Sequence, residues 1–136
     1  AYNGNSIMAA IALAQLPHLE EENEYRRKLV EWYKDELEDT KGITMIKEPE
    51  GLISSHWLFQ IMVDKRDLLM EYMYDHDVAC SLHYLDNTEF PMYEHLSGTC
   101  PRAAYASDHL ISLPLHLRLE RKDIVYISDL IKSFFG

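Results

Sequence analysis

The chain has 136 residues, a length that fits one domain with a single hydrophobic core. Its 13 basic and 23 acidic side chains give a formal net charge of −10, so nucleic acids and anionic membrane surfaces would be repelled at long range. We therefore expect neither a nucleic-acid partner nor a membrane partner, and the 47% hydrophobic composition is that of an ordinary soluble protein.

A polar, glycine-containing turn at the start of the chain leads directly into an apolar helix over residues 7–16. Asn5 or Ser6 can cap this helix, because their side-chain oxygens can accept from the unpaired N–H groups of its first turn. A helix that is apolar on nearly every side is expected to be buried on every side. We therefore expect the chain to be cut from a larger protein. Alone, it should dimerise through this helix or leave the helix loose.

The apolar run is too short to span a bilayer, which takes about 20 residues. No basic segment precedes it, as one would in a secretory signal peptide. Cys80 and Cys100 lack the spacing of a disulfide framework, which suits a reducing compartment. The expected location is the cytoplasm.

Four more helices are predicted after the first. Pro17 can open the second, which runs to about Asp39 and has glutamates crowding the positive end of its dipole. Its buried face is marked by residues four positions apart, namely Tyr25, Leu29, Tyr33 and Leu37. The others are predicted from Asp64 or Asp67 to about His76, over residues 102–109 and over residues 121–134. The last carries Ile124, Ile127, Ile131 and Phe134 on one face.

Short runs of β-branched and aromatic residues predict strands over residues 43–46, 56–63, 78–82 and 111–115. The second run is the strongest, and we expect its Trp57 and Phe59 in the core. Residues 83–101 resemble a loop, and a loop of this length in a compact domain is usually functional or covered by a partner. The interleaved order predicts one α+β domain with three or four strands packed against helices.

Familiar catalytic motifs are missing: the sequence has no phosphate-binding glycine loop, no Gly-x-Ser-x-Gly turn and no His-Glu-x-x-His helix. Cys80 and His83 are spaced so that they could hold a metal, but a structural zinc needs four ligands. The nearest residues that could complete such a site are irregularly spaced along the sequence: His95, Cys100 and His109. We therefore favour a buried strand cysteine followed by a histidine at the strand end, and expect no metal.

His83 and Tyr84 lie where a predicted strand runs into the long loop, a common place for side chains that face a ligand. His116, just beyond the last predicted strand, has a similar but weaker claim. Arg118 and Arg121 could hold a carboxylate or a phosphate through their planar guanidinium groups. Surface arginines without a specific role are, however, more common.

Several segments, in order along the whole chain, resemble the DegT/DnrJ/StrS-type aminotransferases, which are pyridoxal-phosphate (PLP) enzymes that act on nucleotide-linked keto sugars. The opening, Tyr-Asn-Gly-Asn-Ser-Ile-Met-Ala-Ala-Ile-Ala-Leu-Ala-Gln-Leu, is similar to that family's Gly-Tyr…Ala-Ala-x-x-Leu-x-Gln-Leu segment. The other matching segments are Arg26-Arg27 with Trp32-Tyr33, Ser54 to Phe59, Val78 to Tyr84, and Leu113 to His116.

The resemblance implies a single C-terminal small domain over residues 1–136, in which residues 1–38 form bridging helices, as in fold-type I PLP aminotransferases. It places the large PLP-binding domain before residue 1. That domain would carry the lysine that bonds to the cofactor, the aspartate on the pyridine nitrogen and the main phosphate contacts. The chain alone is therefore expected to be inactive and to hold no PLP.

The resemblance also implies site residues. The family's phosphate-contacting asparagine reaches across a homodimer and would fall at Ala1, so its neighbours Asn3, Gly4 and Asn5 are the cofactor-binding candidates. His83, Tyr84 and Asn87 match the loop that borders the sugar. The implied reaction moves an amino group from an amino acid, commonly glutamate, to a nucleotide-linked keto sugar.

Two other interpretations stay open. The first is a non-enzymatic dimerisation or regulatory module, since some relatives of this family regulate rather than catalyse. The second is a small metalloprotein built on Cys80 and His83.

Overall fold

The computed structural model describes residues 4–136 of the chain. Within that range it has five α-helices: α1 (Ser6–Gln15), α2 (Leu19–Leu37), α3 (Arg66–Asp75), α4 (Pro101–His109) and α5 (Arg121–Phe135). Its strands are β1 (Ile43–Met45), β2 (Phe59–Val63) and β3 (Leu110–Leu113). Short 3₁₀ turns cover Leu16–His18, Asn87–Glu89 and Pro91–Leu96. In this part of the chain no helix is both long and apolar enough to cross a membrane.

The three strands form one antiparallel sheet in the order β1-β2-β3. Ile43 pairs with Val63 across β1 and β2, and Phe59 pairs with Leu113 across β2 and β3. Burial alternates along β2, so that Phe59, Ile61 and Val63 face the core and the residues between them are half-buried. This alternation is the period-2 pattern of a strand with one covered face. The predicted α+β class, with its small sheet packed against helices, is confirmed.

The core lies between this face of the sheet and the helices α2 and α5. The predicted stripe of α2 is buried at Leu29, Tyr33 and Leu37, each with no exposed surface. Tyr33 stacks on Phe59 with ring centroids 4.8 Å apart, and its hydroxyl donates to the Pro114 carbonyl at 2.9 Å. Burial raises the pKa of Tyr33 well above its usual range, so the hydroxyl stays a donor.

Helix α5 covers the same core from the other end of the chain. Ile124, Ile127 and Ile131 are buried as predicted. The helix begins with a capping box, in which the Glu120 and Asp123 side chains each accept from the other's backbone N–H. This reciprocal pairing satisfies two donors that the first helical turn would otherwise leave unpaired.

The prediction of a strand over residues 78–82 is wrong. Only Ser81 pairs with β3, through a single bridge to Ser112. The segment begins by closing α3, because Val78 N–H donates to Met73 O at 2.9 Å. It ends by turning over the sheet, where Gln60 Nε2 donates to the carbonyl of His83 at 2.7 Å. Between these two contacts the segment makes this one bridge to the sheet.

The prediction that β2 begins at His56 is also wrong. His56 has a φ of 46°, in the left-handed region, and its N–H donates to Ser54 Oγ. The chain therefore turns before the ladder begins at Phe59. As a result Trp57 is not a core residue, since 64% of its surface is exposed.

Two other element boundaries differ from the sequence prediction. The N-cap position of α3 is Lys65, with no side-chain cap, and Asp67 lies in the first turn beside Arg66. Strand β3 ends at Leu113 because Pro114 has no N–H to donate to a ladder.

Helix α1 is apolar but not buried in this chain. It contains no buried residue, and Ile7, Ile11 and Leu13 are each at least 60% exposed. The sequence expectation that such a helix is covered on all sides is therefore not met by residues 4–136 alone.

Replacing one leucine on α2 and one in the exposed segment between β1 and β2 tests this assignment of the core. Leu29→Ala should lower the free energy of unfolding by about 2–5 kcal/mol, because it leaves a cavity at a fully buried position. Leu52→Ala, the same change at a position 68% exposed and away from α1, should cost less than about 0.5 kcal/mol. Urea unfolding of the chain measures both values, and equal losses would contradict the assignment.

The two thiols should react at very different rates. Burial raises the pKa of Cys80 to about 11, whereas Cys100 is exposed. A disulfide reagent attacks only the thiolate, so at neutral pH the folded protein should release one equivalent quickly and the second slowly. Cys100→Ala should remove the fast phase and leave the slow one. A fast phase that survives this substitution would show that Cys80 is not shielded.

Candidate functional site

His83 lies where the chain leaves its bridge with β3, and two polar side chains of the sheet hold it there. Its ring Nδ1 is 2.9 Å from Ser112 Oγ on β3. Gln60 on β2 donates from Nε2 to the His83 carbonyl at 2.7 Å and to Ser112 Oγ at 3.1 Å. Both ends of the histidine, its backbone and its ring, are therefore bonded to neighbouring strands.

Two aromatic side chains lie beside the imidazole. Trp57 approaches it edge-on with ring centroids 5.9 Å apart, and Tyr84 does so at 5.1 Å. Trp57 and Tyr84 are 64% and 67% exposed, while His83 itself is half-buried. The peptide bond between His83 and Tyr84 is cis. The site thus combines an anchored polar ring with exposed aromatic surface.

The segment after Tyr84 is held to the domain by buried polar groups. Asp86 N–H donates to Ser107 Oγ at 2.9 Å, and the buried Arg66 donates to the Ser107 carbonyl at 2.6 Å. Asp86 Oδ1 in turn accepts from Thr88 N–H at 2.9 Å and so caps the short 3₁₀ turn. Asn87 lies between these buried residues and is itself exposed.

A cleft of about 820 Å³ separates this segment from α4. Its lining includes Tyr84, Asn87, Phe90, Cys100 and Ala103. Two of the three predicted substrate residues therefore share one cleft. His83 is not among its lining residues; it lies one position before Tyr84, against the sheet.

A second groove, of about 640 Å³, lies next to Trp57 and is lined partly by Arg26, His116 and Arg118. Arg26 is already bonded to Asn23 and Glu22 of its own helix.

The structure distinguishes the two arginines that the sequence left open. Arg121 donates to Glu36 at 2.8 Å, and this bond, with one from Lys132, holds the pKa of the Glu36 carboxyl below its usual value. Arg118 makes no ion pair within residues 4–136. Of the two, only Arg118 lies in a groove with its guanidinium unpaired in that range.

The predicted cofactor residues lie at the start of α1. Asn5 is the N-cap, since its Oδ1 accepts from Met8 N–H at 2.9 Å, and Ser6 is already the first helical residue. Gly4 is exposed, and an added Cβ there would meet no atom within 4 Å. Asn3 lies outside the described residues. The first turn of α1 carries no acidic side chain.

A metal site based on Cys80 and His83 finds no support in residues 4–136. In that range no three His, Cys, Asp or Glu side chains come together as a metal site requires. Cys80 is half-buried against the core, and the His83 ring is bonded to Ser112.

Sequence reasoning missed the residues that hold the site together, Gln60, Ser112, Ser107, Asp86 and Arg66. A signal for the first two was present, because each is a polar residue inside an apolar run that forms a strand. What they bond to depends on which strands become neighbours. No local pattern contains that information.

Comparison with known proteins gives a consistent result. The model of the DegT/DnrJ/EryC1/StrS aminotransferase family matches residues 1–132. GDP-perosamine synthase of Vibrio cholerae is 30% identical over 99% of this chain and 38% of its own length. The erythromycin biosynthesis sensory transduction protein EryC1 of Saccharopolyspora erythraea is 28% identical over 95% of this chain and 36% of its own.

The fold agrees with solved structures as well. The aminotransferase TlmJ from Streptoalloteichus hindustanus superposes with a TM-score of 0.88 at 27% identity, over 96% of this chain and 36% of that one. The chain thus spans a little over a third of the length of the curated relatives it matches. Because the family model covers all but the last residues, the chain belongs to the DegT/DnrJ/EryC1/StrS aminotransferase family.

Proposed function

We propose that this chain is the small-domain part of a PLP-dependent aminotransferase that transfers an amino group from glutamate to a nucleotide-linked keto sugar. The observation that carries the proposal is the family match over residues 1–132. The likeness to a solved aminotransferase at 27% identity and a TM-score of 0.88 supports it. The name of the Vibrio cholerae relative, a GDP-perosamine synthase, supports a nucleotide-sugar substrate.

In this proposal the loop from His83 to Asn87 forms one wall of the sugar site. His83 is bonded to the sheet on one side and flanked by exposed aromatic rings, so it can meet a ligand without losing its anchor. The Tyr84 hydroxyl and the Asn87 amide are exposed groups in the adjoining cleft. Hydroxyl and amide groups can both donate to and accept from sugar hydroxyls.

The residues at the start of α1 fit a contact with the cofactor phosphate. The N–H groups of a first helical turn favour an anion, and here no acidic side chain opposes one. The bond from Met8 uses the oxygen of the Asn5 amide and leaves its NH₂ group as a donor. We propose that Asn5, with Gly4 and Asn3, holds this phosphate across a homodimer. When bound, PLP supplies the electron sink for amino transfer.

The remaining cofactor contacts would come from a large domain preceding this chain. Lys34, Lys122 and Lys132 are paired with carboxylates here, and Lys28 lies 5.1 Å from the Trp32 ring centroid. No lysine of residues 4–136 is among the residues that line the cleft with Tyr84 and Asn87. We therefore propose that the chain alone neither binds PLP nor catalyses, and that the complete protein works in the cytoplasm.

A regulatory role is a second candidate, because the relative EryC1 is named a sensory transduction protein. A regulator could keep this fold and its self-association without turning over substrate. Amino-transfer activity of the complete protein separates the two candidates, since a regulator would show none.

Substitution of His83 in the complete protein tests the sugar-site proposal. His83→Ala should lower kcat/KM for the keto sugar about tenfold, the effect of losing one buried hydrogen bond. It should leave the half-reaction with glutamate unchanged, because the sugar is absent from that step. His76→Ala, at the end of α3, is the matched control and should change neither value. An equal loss in both half-reactions would contradict a sugar-specific role.

Charge placed on α1 tests whether this helix is an interface. Ala10→Glu should shift the chain from a dimer towards a monomer, because a buried, unpaired carboxylate is strongly unfavourable. Ser133→Glu adds the same charge at an exposed position of α5 and should leave assembly intact. Sedimentation analysis reads out both. A wild-type chain that stays monomeric, with α1 folded and exposed, would refute self-association through this helix.

A further inference from the structure

We infer that Ser112 and Gln60 are positioning residues that fix the tautomer of His83, so that its ring carries the proton on Nε2 and recognises an acceptor oxygen. The inference comes from the three-residue cluster that joins β2, β3 and the candidate loop. It rests on the proposed function only for the identity of the ligand. The tautomer itself follows from hydrogen-bond chemistry within the chain.

The direction of the Gln60 bonds is settled first. Its terminal nitrogen is 2.7 Å from the His83 carbonyl oxygen, and a carbonyl oxygen can only accept. The group at that position must therefore be the NH₂ end of the amide and not its oxygen. The same NH₂ group lies 3.1 Å from Ser112 Oγ. Its two hydrogens serve these two acceptors.

The hydroxyl of Ser112 then has one hydrogen left to place. Ser112 is only 3% exposed, so water is not available as an acceptor. Its backbone N–H and carbonyl are both bonded to Ser81, at 2.8 and 3.1 Å. Within residues 4–136 the remaining partner of Oγ is His83 Nδ1 at 2.9 Å. The hydroxyl therefore donates to Nδ1, since the opposite arrangement would leave a buried hydroxyl hydrogen unpaired.

A neutral imidazole that accepts at Nδ1 carries its proton on Nε2. His83 Nε2 makes no hydrogen bond in the part of the chain described by the structure. It is thus a donor for a ligand oxygen, which in the proposed function is an oxygen of the keto sugar. In this tautomer the ring orients the substrate and does not take a proton from it, because the basic nitrogen is occupied by Ser112.

Nitrogen NMR of the ¹⁵N-labelled chain tests the inference without any substrate. At about pH 8.5 an ordinary imidazole is neutral, and two-bond proton–nitrogen correlations distinguish its two ring tautomers. The His83 signals are assigned by their absence in His83→Asn. We expect an Nε2–H form in about tenfold or greater excess, the population that one buried hydrogen bond sustains. A predominant Nδ1–H form, or equal populations, would overturn the inference.

Variants of the cluster identify which residues fix the tautomer of His83. Gln60→Glu replaces the donor with an acceptor, so the Ser112 hydroxyl should turn to it and His83 should shift to the Nδ1–H form. Ser112→Ala should give a mixture of both. Ser128→Ala removes an equally buried serine from α5 and should leave the His83 pattern unchanged.

Each outcome of these experiments either supports or overturns the inference about the His83 tautomer. An unchanged tautomer in a folded Gln60→Glu variant would exclude Gln60 as the determinant. If both variants at the cluster fail to fold, the wild-type spectrum alone still confirms or overturns the tautomer. Failure of the sugar-site test with His83→Ala would refute the proposed function and leave this spectrum as it is, so the two outcomes are separable.

Discussion

The buried side chain of Tyr33 connects helix α2 to strand β2 and to the residue that follows β3. Its ring stacks on Phe59 of β2, and its hydroxyl bonds to the carbonyl of Pro114 just beyond β3. Helix α2 is thereby fixed to the sheet at a point where α5 packs beside it. Because a buried hydroxyl without a partner is costly, the position of Pro114 and the register of α2 depend on each other. This contact lies just beyond the end of β3, next to the candidate site.

The candidate site is positioned by hydrogen bonds among buried and half-buried polar groups and not by apolar packing. Gln60 and Ser112 hold His83 to the sheet, while Arg66, Ser107 and Asp86 hold the segment beyond it to α3 and α4. Polar bonds are directional, so such a network can orient an exposed loop more sharply than apolar contacts do. The loop is long and mostly exposed, yet its first part, from His83 to Thr88, is anchored.

The exposed surface of helix α1 indicates a partner, which the packing of the core does not. Helix α1 is apolar but exposed, and the chain spans a little over a third of the length of its curated relatives. Exposed apolar area on this scale is unusual for a chain that functions alone. An interface through α1 in a dimeric enzyme, as proposed, would account for it. The thermodynamic cost of leaving it in water is the reason to expect a partner.

The sequence by itself determined where the helices lie, that the fold is of the α+β class, and which family the chain belongs to. Their signals are local, as in the four-residue spacing that placed Leu29 and Leu37 in the core, or are short motifs in a fixed order. The tertiary structure alone decided which residues meet. Trp57 looked like a core residue and is exposed, and residues 78–82 looked like a strand but form one bridge. His83 was identifiable as a loop-edge histidine, but its partners Gln60 and Ser112 were not, because hydrogen-bond partners on neighbouring strands are distant in sequence and are brought together only by the register of the sheet.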